Sequence, residues 1–136
     1  MSRSPATHTR PLSPHLSVYR FTPTMAMSII HRITGCALYF GMLLIAWWLI
    51  AAATSPAWFE TANWLLGSWF GIVVLIGFTW AMFQHMLGGI RHFVWDTGVG
   101  LEKKTATTLA NLTWIGALLL TIVTWAIYFW MFGGAA

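Results

Sequence analysis

The chain has 136 residues, of which 58% are hydrophobic and 7% charged, and its mean hydropathy is +0.71. Soluble domains carry about a quarter charged residues, so the composition excludes an ordinary water-soluble domain and describes a membrane protein. Seven Lys and Arg against three Asp and Glu give a formal net charge of +4. Those basic residues gather at the edges of apolar runs, a pattern that sets membrane orientation and not a nucleic-acid surface.

Residues 1–23 hold four of the five prolines (Pro5, Pro11, Pro14, Pro23) with Arg3, Arg10 and Arg20. Proline at this density prevents a regular helix. An extended arm at the membrane surface is expected, with Leu16, Val18, Tyr19 and Phe21 as contacts and no cofactor role for His8 or His15. The arm lacks the apolar core of a secretory signal. It is rich in Ser, Thr and Arg, with no acidic residue before Glu60, so its composition also suits an organellar leader. Cys36, the only cysteine, forms no internal disulfide and reads as a buried, inert thiol.

Residues 23–136 read as one all-α membrane unit with three transmembrane helices over about 23–53, 62–94 and 107–132. Thr22 is placed to cap the first, with Pro23 at its opening position. The second run exceeds the roughly 20 residues that a bilayer requires. It must tilt, or begin with an interfacial piece around Trp58 to Leu66. In the third, Thr105 is a candidate cap and Gly133-Gly134 ends the helix. This last span contains no acidic or basic side chain and reads as lipid-facing scaffold. Arg3, Arg10 and Arg20 precede the first span, Lys103 and Lys104 lie in the second connection, and the first connection has no Lys or Arg. Positive-inside orientation then puts the N-terminus on the cytoplasmic or matrix side and the C-terminus opposite.

Two groups of polar residues interrupt these runs. Ser28, His31 and Arg32 lie in the first turns of the first span, with Ser28 and Arg32 four apart on one face and Gly35 and Tyr39 continuing it. A guanidinium there snorkels to headgroups or, beside a hydroxyl, binds an anionic or carbonyl-bearing ligand. In the second span His85, Gly88, Gly89 and His92 share one face. Such a face offers an imidazole ligand and a low backbone that a flat haem could approach. The same small residues equally serve helix packing, and a lone intramembrane His equally serves as a hydrogen-bonding partner. At about 1.5 Å per residue His85 lies roughly 9 Å deeper than Arg91, which puts both groups in the inner half of the bilayer. Buried ionisable groups cost on the order of 2.5–3.5 kcal/mol each there, and one shared site is the economical reading.

Three segments carry a family resemblance: Arg10-Pro11-Leu12-Ser13-Pro14-His15-Leu16, then Ser28-Ile29-Ile30-His31-Arg32-Ile33-Thr34-Gly35, then His85 through Asp96 with Gly89-Ile90-Arg91-His92 at its centre. In order, spacing and three-span layout the chain resembles the succinate dehydrogenase cytochrome b556 family, the C-subunit membrane anchors of respiratory complex II. The resemblance implies a four-subunit complex with a flavoprotein subunit, an iron–sulfur subunit and a second small anchor subunit. It implies that His85 ligates a haem b shared with that second anchor, which supplies the other axial ligand. It further implies that Ser28 and Arg32 belong to a quinone pocket, with ubiquinone the expected quinone, and that His31 and Arg32 lie near the haem propionates. His92, Arg91 and Asp96 are expected around the site as hydrogen-bonding or ion-pairing residues, Asp96 as partner of Arg91 or as a backbone cap. The chain itself lacks flavin-binding and multi-cysteine motifs, so dicarboxylate chemistry belongs to other subunits. The expected location is the bacterial inner membrane, with the mitochondrial inner membrane as the alternative.

Two rivals remain at this level. One is a haemless structural anchor in which His85 only packs. The other is a small anion transporter subunit using Arg32 and Arg91, which would call for polar lining in the third span as well.

Overall fold

A computed structural model describes residues 20–133, and the expected arm up to residue 19, with His8, His15, Leu16, Val18 and Tyr19, lies outside them. Among the described residues there are four helices and no strand: α1 (Pro23–Thr54), α2 (Pro56–Gly67), α3 (Trp69–Asp96) and α4 (Lys103–Phe132). Three of them, α1, α3 and α4, are long and apolar enough to cross a membrane.

Local chemistry sets each boundary. Thr22 is extended (φ −100°, ψ 154°) and Pro23 follows at the start of α1, where a missing N–H costs nothing. The Thr22 hydroxyl pairs with that of Thr24 at 3.0 Å and caps no backbone N–H. Ser55 is extended, as a residue before proline must be, so α1 stops and Pro56 opens α2. Of the two expectations for the long second run, a separate opening piece around Trp58 to Leu66 is the one met, as α2, and the spanning helix itself starts at Trp69 and not near residue 62. Residues 56–67 form their own helix, and Ser68 restarts the chain as the cap of α3, its Oγ accepting from the Gly71 N–H at 3.1 Å. After Asp96 the chain turns through Gly98 and Gly100, both at φ +78°, which a side chain would strain. The indole of Trp95 donates to the Gly100 carbonyl at 3.2 Å and ties the turn to α3. Helix α4 then begins at Lys103 with Glu102 before it, several residues ahead of the expected Thr105 cap.

Helices α1 and α3 run antiparallel: His31 faces Gly88, Gly35 faces His85, and Gly41 faces Phe78. Helix α4 lies antiparallel to α3 through a stripe of Ala106, Ala110, Thr113, Ala117 and Thr121. Lipid tails are as apolar as leucine, so helices here associate by close packing and not by burying oil from water, and small residues permit the approach. The span hydroxyls of Thr79, Thr113 and Thr121 donate to carbonyls one turn back, which satisfies them where no water is present. Most large apolar side chains point outward, among them Tyr39, Phe40, Trp69 and Phe93, the reverse of a soluble protein. Cys36 is also exposed on this outer surface and is not a buried thiol.

The start of α1, the end of α3 and the start of α4 share one end of the bundle, where Thr22, Pro23, Trp95, Lys103 and Thr107 meet. At the other end α2 is clipped to α1 by the Trp48 indole, which donates to Asn63 Oδ1 at 2.9 Å.

Candidate functional site

The chemistry collects at the end that carries Arg20, Lys103 and Lys104. Helix α1 has 32 residues, or about 48 Å at 1.5 Å per residue, against a hydrocarbon core of about 30 Å. Its first turns therefore lie toward the headgroups, and His31 and Arg32 need not sit at the apolar centre.

His85 and His31 stand face to face, ring centroids 4.0 Å apart and planes within 5°. The Nδ1 of His85 lies 3.0 Å from the His31 backbone carbonyl. A carbonyl oxygen only accepts, so this nitrogen carries the proton and donates, leaving Nε2 as the basic nitrogen. The Thr34 hydroxyl lies 3.3 Å from the same Nδ1. His92 follows one layer out, its ring 5.4 Å from that of His31 and edge-on to Trp95 at 5.3 Å. The structure thus brings His31, His85 and His92 into one column between α1 and α3.

The two glycines of the expected cradle differ. A Cβ on Gly88 would come within 2.5 Å of His31 Nδ1, so this notch is filled by a ring of the same chain. Gly89 has open space in front of it. Reading both as one landing surface for a flat cofactor is therefore corrected: Gly88 seats His31, and only Gly89 leaves room.

Arg32 donates through NH2 to Ser28 Oγ at 3.3 Å, and both side chains are exposed. They present a cation and a hydroxyl together on the outer face of α1. Arg91 is the opposite case, only 4% exposed, with Nε and NH1 buried and without hydrogen-bond partners. Its guanidinium lies over the Trp95 ring at 4.8 Å, a cation–π contact, and it makes no ion pair with Asp96 among the described residues. Asp96 is exposed at the end of α3. The Nδ1 of His31 is likewise buried and unpartnered. Gln84, also buried, donates to the Met27 sulfur at 3.3 Å and leaves its oxygen without a partner.

Thr34, Gln84 and Met27 were not singled out from the sequence. A threonine in an apolar helix normally bonds back to its own helix, and only the pairing of α1 with α3 brings its oxygen to His85. A cavity of about 810 Å³ lies elsewhere, between the outer half of α1, α2, α3 and Trp125 and Tyr128 of α4. It is lined by no acidic, basic or histidine side chain and belongs to packing among the spans, away from the polar column.

Comparison with known proteins identifies the family. The profile of the family described as succinate dehydrogenase/fumarate reductase transmembrane subunit matches residues 6–134. The succinate dehydrogenase cytochrome b556 subunit of Paracoccus denitrificans is 52% identical over 97 residues, 71% of this chain and 75% of the relative. That of Rickettsia felis is 39% identical over 95 residues, 70% of this chain and 73% of its own length. The mitochondrial cytochrome b560 subunit of Sus scrofa is 39% identical over 97 residues, covering 68% of this chain and 56% of that protein. A match over nearly the whole length, on a three-span bundle with His31, His85 and His92 at one end, leaves one conclusion: the chain belongs to the succinate dehydrogenase/fumarate reductase transmembrane subunit family, the cytochrome b membrane anchors of complex II.

Proposed function

We propose that this anchor holds a haem b through His85 and that Ser28 and Arg32 form part of the quinone-reduction pocket of a succinate:quinone oxidoreductase. The observation that carries the haem reading is the engagement of His85 Nδ1 by the His31 carbonyl at 3.0 Å. A metal-ligating histidine characteristically donates its other ring N–H to such an acceptor, which fixes the tautomer and strengthens the ligand.

The surroundings fit the group. Among the described residues no three His, Cys, Asp or Glu side chains gather as a site for a bare ion, whereas a porphyrin brings its own equatorial nitrogens and asks the protein only for axial ligands. Held here, a haem b would supply one-electron storage beside the quinone pocket. The unpartnered Arg91 guanidinium nitrogens suit an anionic neighbour, and His31 and Arg32 are proposed to meet the haem propionates by charge-assisted hydrogen bonds. Arg91, His92 and Asp96 complete the polar border. Arg32 and Ser28, already linked at 3.3 Å, would direct their donors at a quinone carbonyl and stabilise the negative charge that grows there on reduction.

The same reading assigns the partners. A second small anchor would supply the other axial ligand, and an iron–sulfur subunit fed by a flavoprotein would deliver electrons, with ubiquinone as acceptor. The end bearing Arg20, Lys103 and Lys104 would face the cytoplasm or matrix, in a bacterial inner membrane or its mitochondrial counterpart.

A reduced-minus-oxidised absorption spectrum of the purified complex tests the core of this proposal. A b-type band present in the native complex and lost or shifted in His85→Ala, with the subunits still co-purifying, is the expected result. An unchanged band in that variant removes His85 from the site.

A further inference from the structure

We infer that Thr34, with its neighbour Gly35, is a positioning residue for the imidazole of His85. The inference rests on the reading of His85 as an axial ligand and adds the groups that decide how that ligand is held. Thr34 is 2% exposed. Its Oγ1 lies 2.9 Å from the Ile30 carbonyl, 3.0 Å from the His31 carbonyl and 3.3 Å from His85 Nδ1.

A hydroxyl has one proton and two lone pairs. The proton goes to one of the two helix carbonyls, because the nitrogen it faces already carries its own. A lone pair of the hydroxyl is then turned to the imidazole, and the His85 N–H is shared between the His31 carbonyl and the Thr34 oxygen. Thr113 and Thr121 bond back to their own helix, while Thr34 does so and also reaches a ring 51 positions away in sequence.

Gly35 governs the adjoining edge of the ring. A Cβ there would stand 3.0 Å from His85 Cε1, the carbon between the two ring nitrogens, so the missing side chain is what lets the imidazole lie against α1. The stacked His31 ring covers one face at 4.0 Å. One face, one edge and the non-ligating nitrogen are thereby fixed by His31, Thr34 and Gly35, within little more than one turn of α1, and Nε2 is the atom left to present.

Acceptors on the distal N–H make an imidazole a stronger donor to its metal, and hydrogen bonding of this kind is one of the means by which a protein sets haem potential. A more electron-rich ligand favours the oxidised iron, so removing the Thr34 oxygen is expected to raise the potential.

The test uses the purified four-subunit complex with Thr34→Val, which keeps the shape but loses the hydroxyl, and Thr34→Ser, which keeps the hydroxyl. Haem content, the electron paramagnetic resonance signal of the oxidised low-spin haem and its midpoint potential are measured. The expected result is an upward shift in potential and an altered resonance signal in Thr34→Val, with both returned toward native values in Thr34→Ser. Loss of haem from the valine variant alone supports the same role. A native signal and potential in Thr34→Val, or equal changes or equal haem loss in both variants, overturns it. His85→Ala separates the two levels. If that variant keeps the native haem spectrum, the ligand assignment itself fails. If it loses the spectrum while Thr34→Val is silent, only the positioning role fails.

Discussion

Arg32 and Arg91 sit two helices apart with the same charge and opposite surroundings, one exposed beside Ser28 and the other buried over Trp95. A hydrogen bond to a charged group contributes about 1.5–3 kcal/mol, so Arg32→Ala should slow quinone reduction by roughly 10- to 100-fold. Succinate oxidation by a soluble artificial dye, which bypasses the membrane pocket, should be nearly unaffected. Equal loss of both activities would mean failed assembly and would count against a quinone role. His85 and Arg32 stood out in the sequence because a charged or imidazole side chain in an apolar run has to be explained, and Ser28 did so by its spacing of four from Arg32. Thr34 was not, since nothing local separates a hydroxyl that bonds only to its own helix from one that also reaches another. The burial of Arg91 was hidden too: near a span end a guanidinium is expected to snorkel, and only its burial over the Trp95 ring shows otherwise.

At the scale of helices, the pair Gly88 and Gly89 separates packing from open space. Gly88→Ala would push a methyl into His31 and so disturb the stack on His85, at an overpacking cost of about 1–3 kcal/mol. Gly89→Ala meets nothing within 4 Å in the isolated chain. The expected outcome is a lower yield of haem-containing complex in mild detergent for Gly88→Ala. If haem incorporation is native in Gly88→Ala, His31 does not depend on that notch. Gly116→Ala is a useful control, since its Cβ would meet only the flexible end of Leu87 at 3.0 Å, and it should leave both yield and spectrum unchanged. The three spans were readable from length and hydropathy alone. The break at Ser68 was harder, because apolar residues continue across it and the single sign is a serine whose hydroxyl caps α3. The start of α4 was read late for a related reason: lysines at 103 and 104 look like loop residues, yet an exposed helix turn carries them as readily.

Over the whole molecule, few interior side chains and many outward apolar ones say that lipid and neighbouring subunits complete the fold. The sequence alone put the polar groups of the first and second spans in one half of the bilayer, and the antiparallel pairing of α1 with α3 makes His31, His85 and His92 one column. The occupants of the outer surface were not legible, since a leucine facing lipid and a leucine facing a partner helix look alike in composition.

That one-ended column has an electrical consequence. Beyond Arg32 in α1, before His85 in α3 and after Lys104 in α4, the spans hold no Asp, Glu, Lys, Arg or His, so no acidic, basic or imidazole side chain of these helices continues the column toward the opposite surface. A charge that crosses the full membrane responds to voltage by about 2.3 kcal/mol per 100 mV, whereas one exchanged near a single surface feels only a small part of the field. Turnover in sealed vesicles should therefore proceed at the same rate when a potassium gradient with valinomycin imposes a potential of either sign. A clear dependence of rate on that potential would require a path through another subunit.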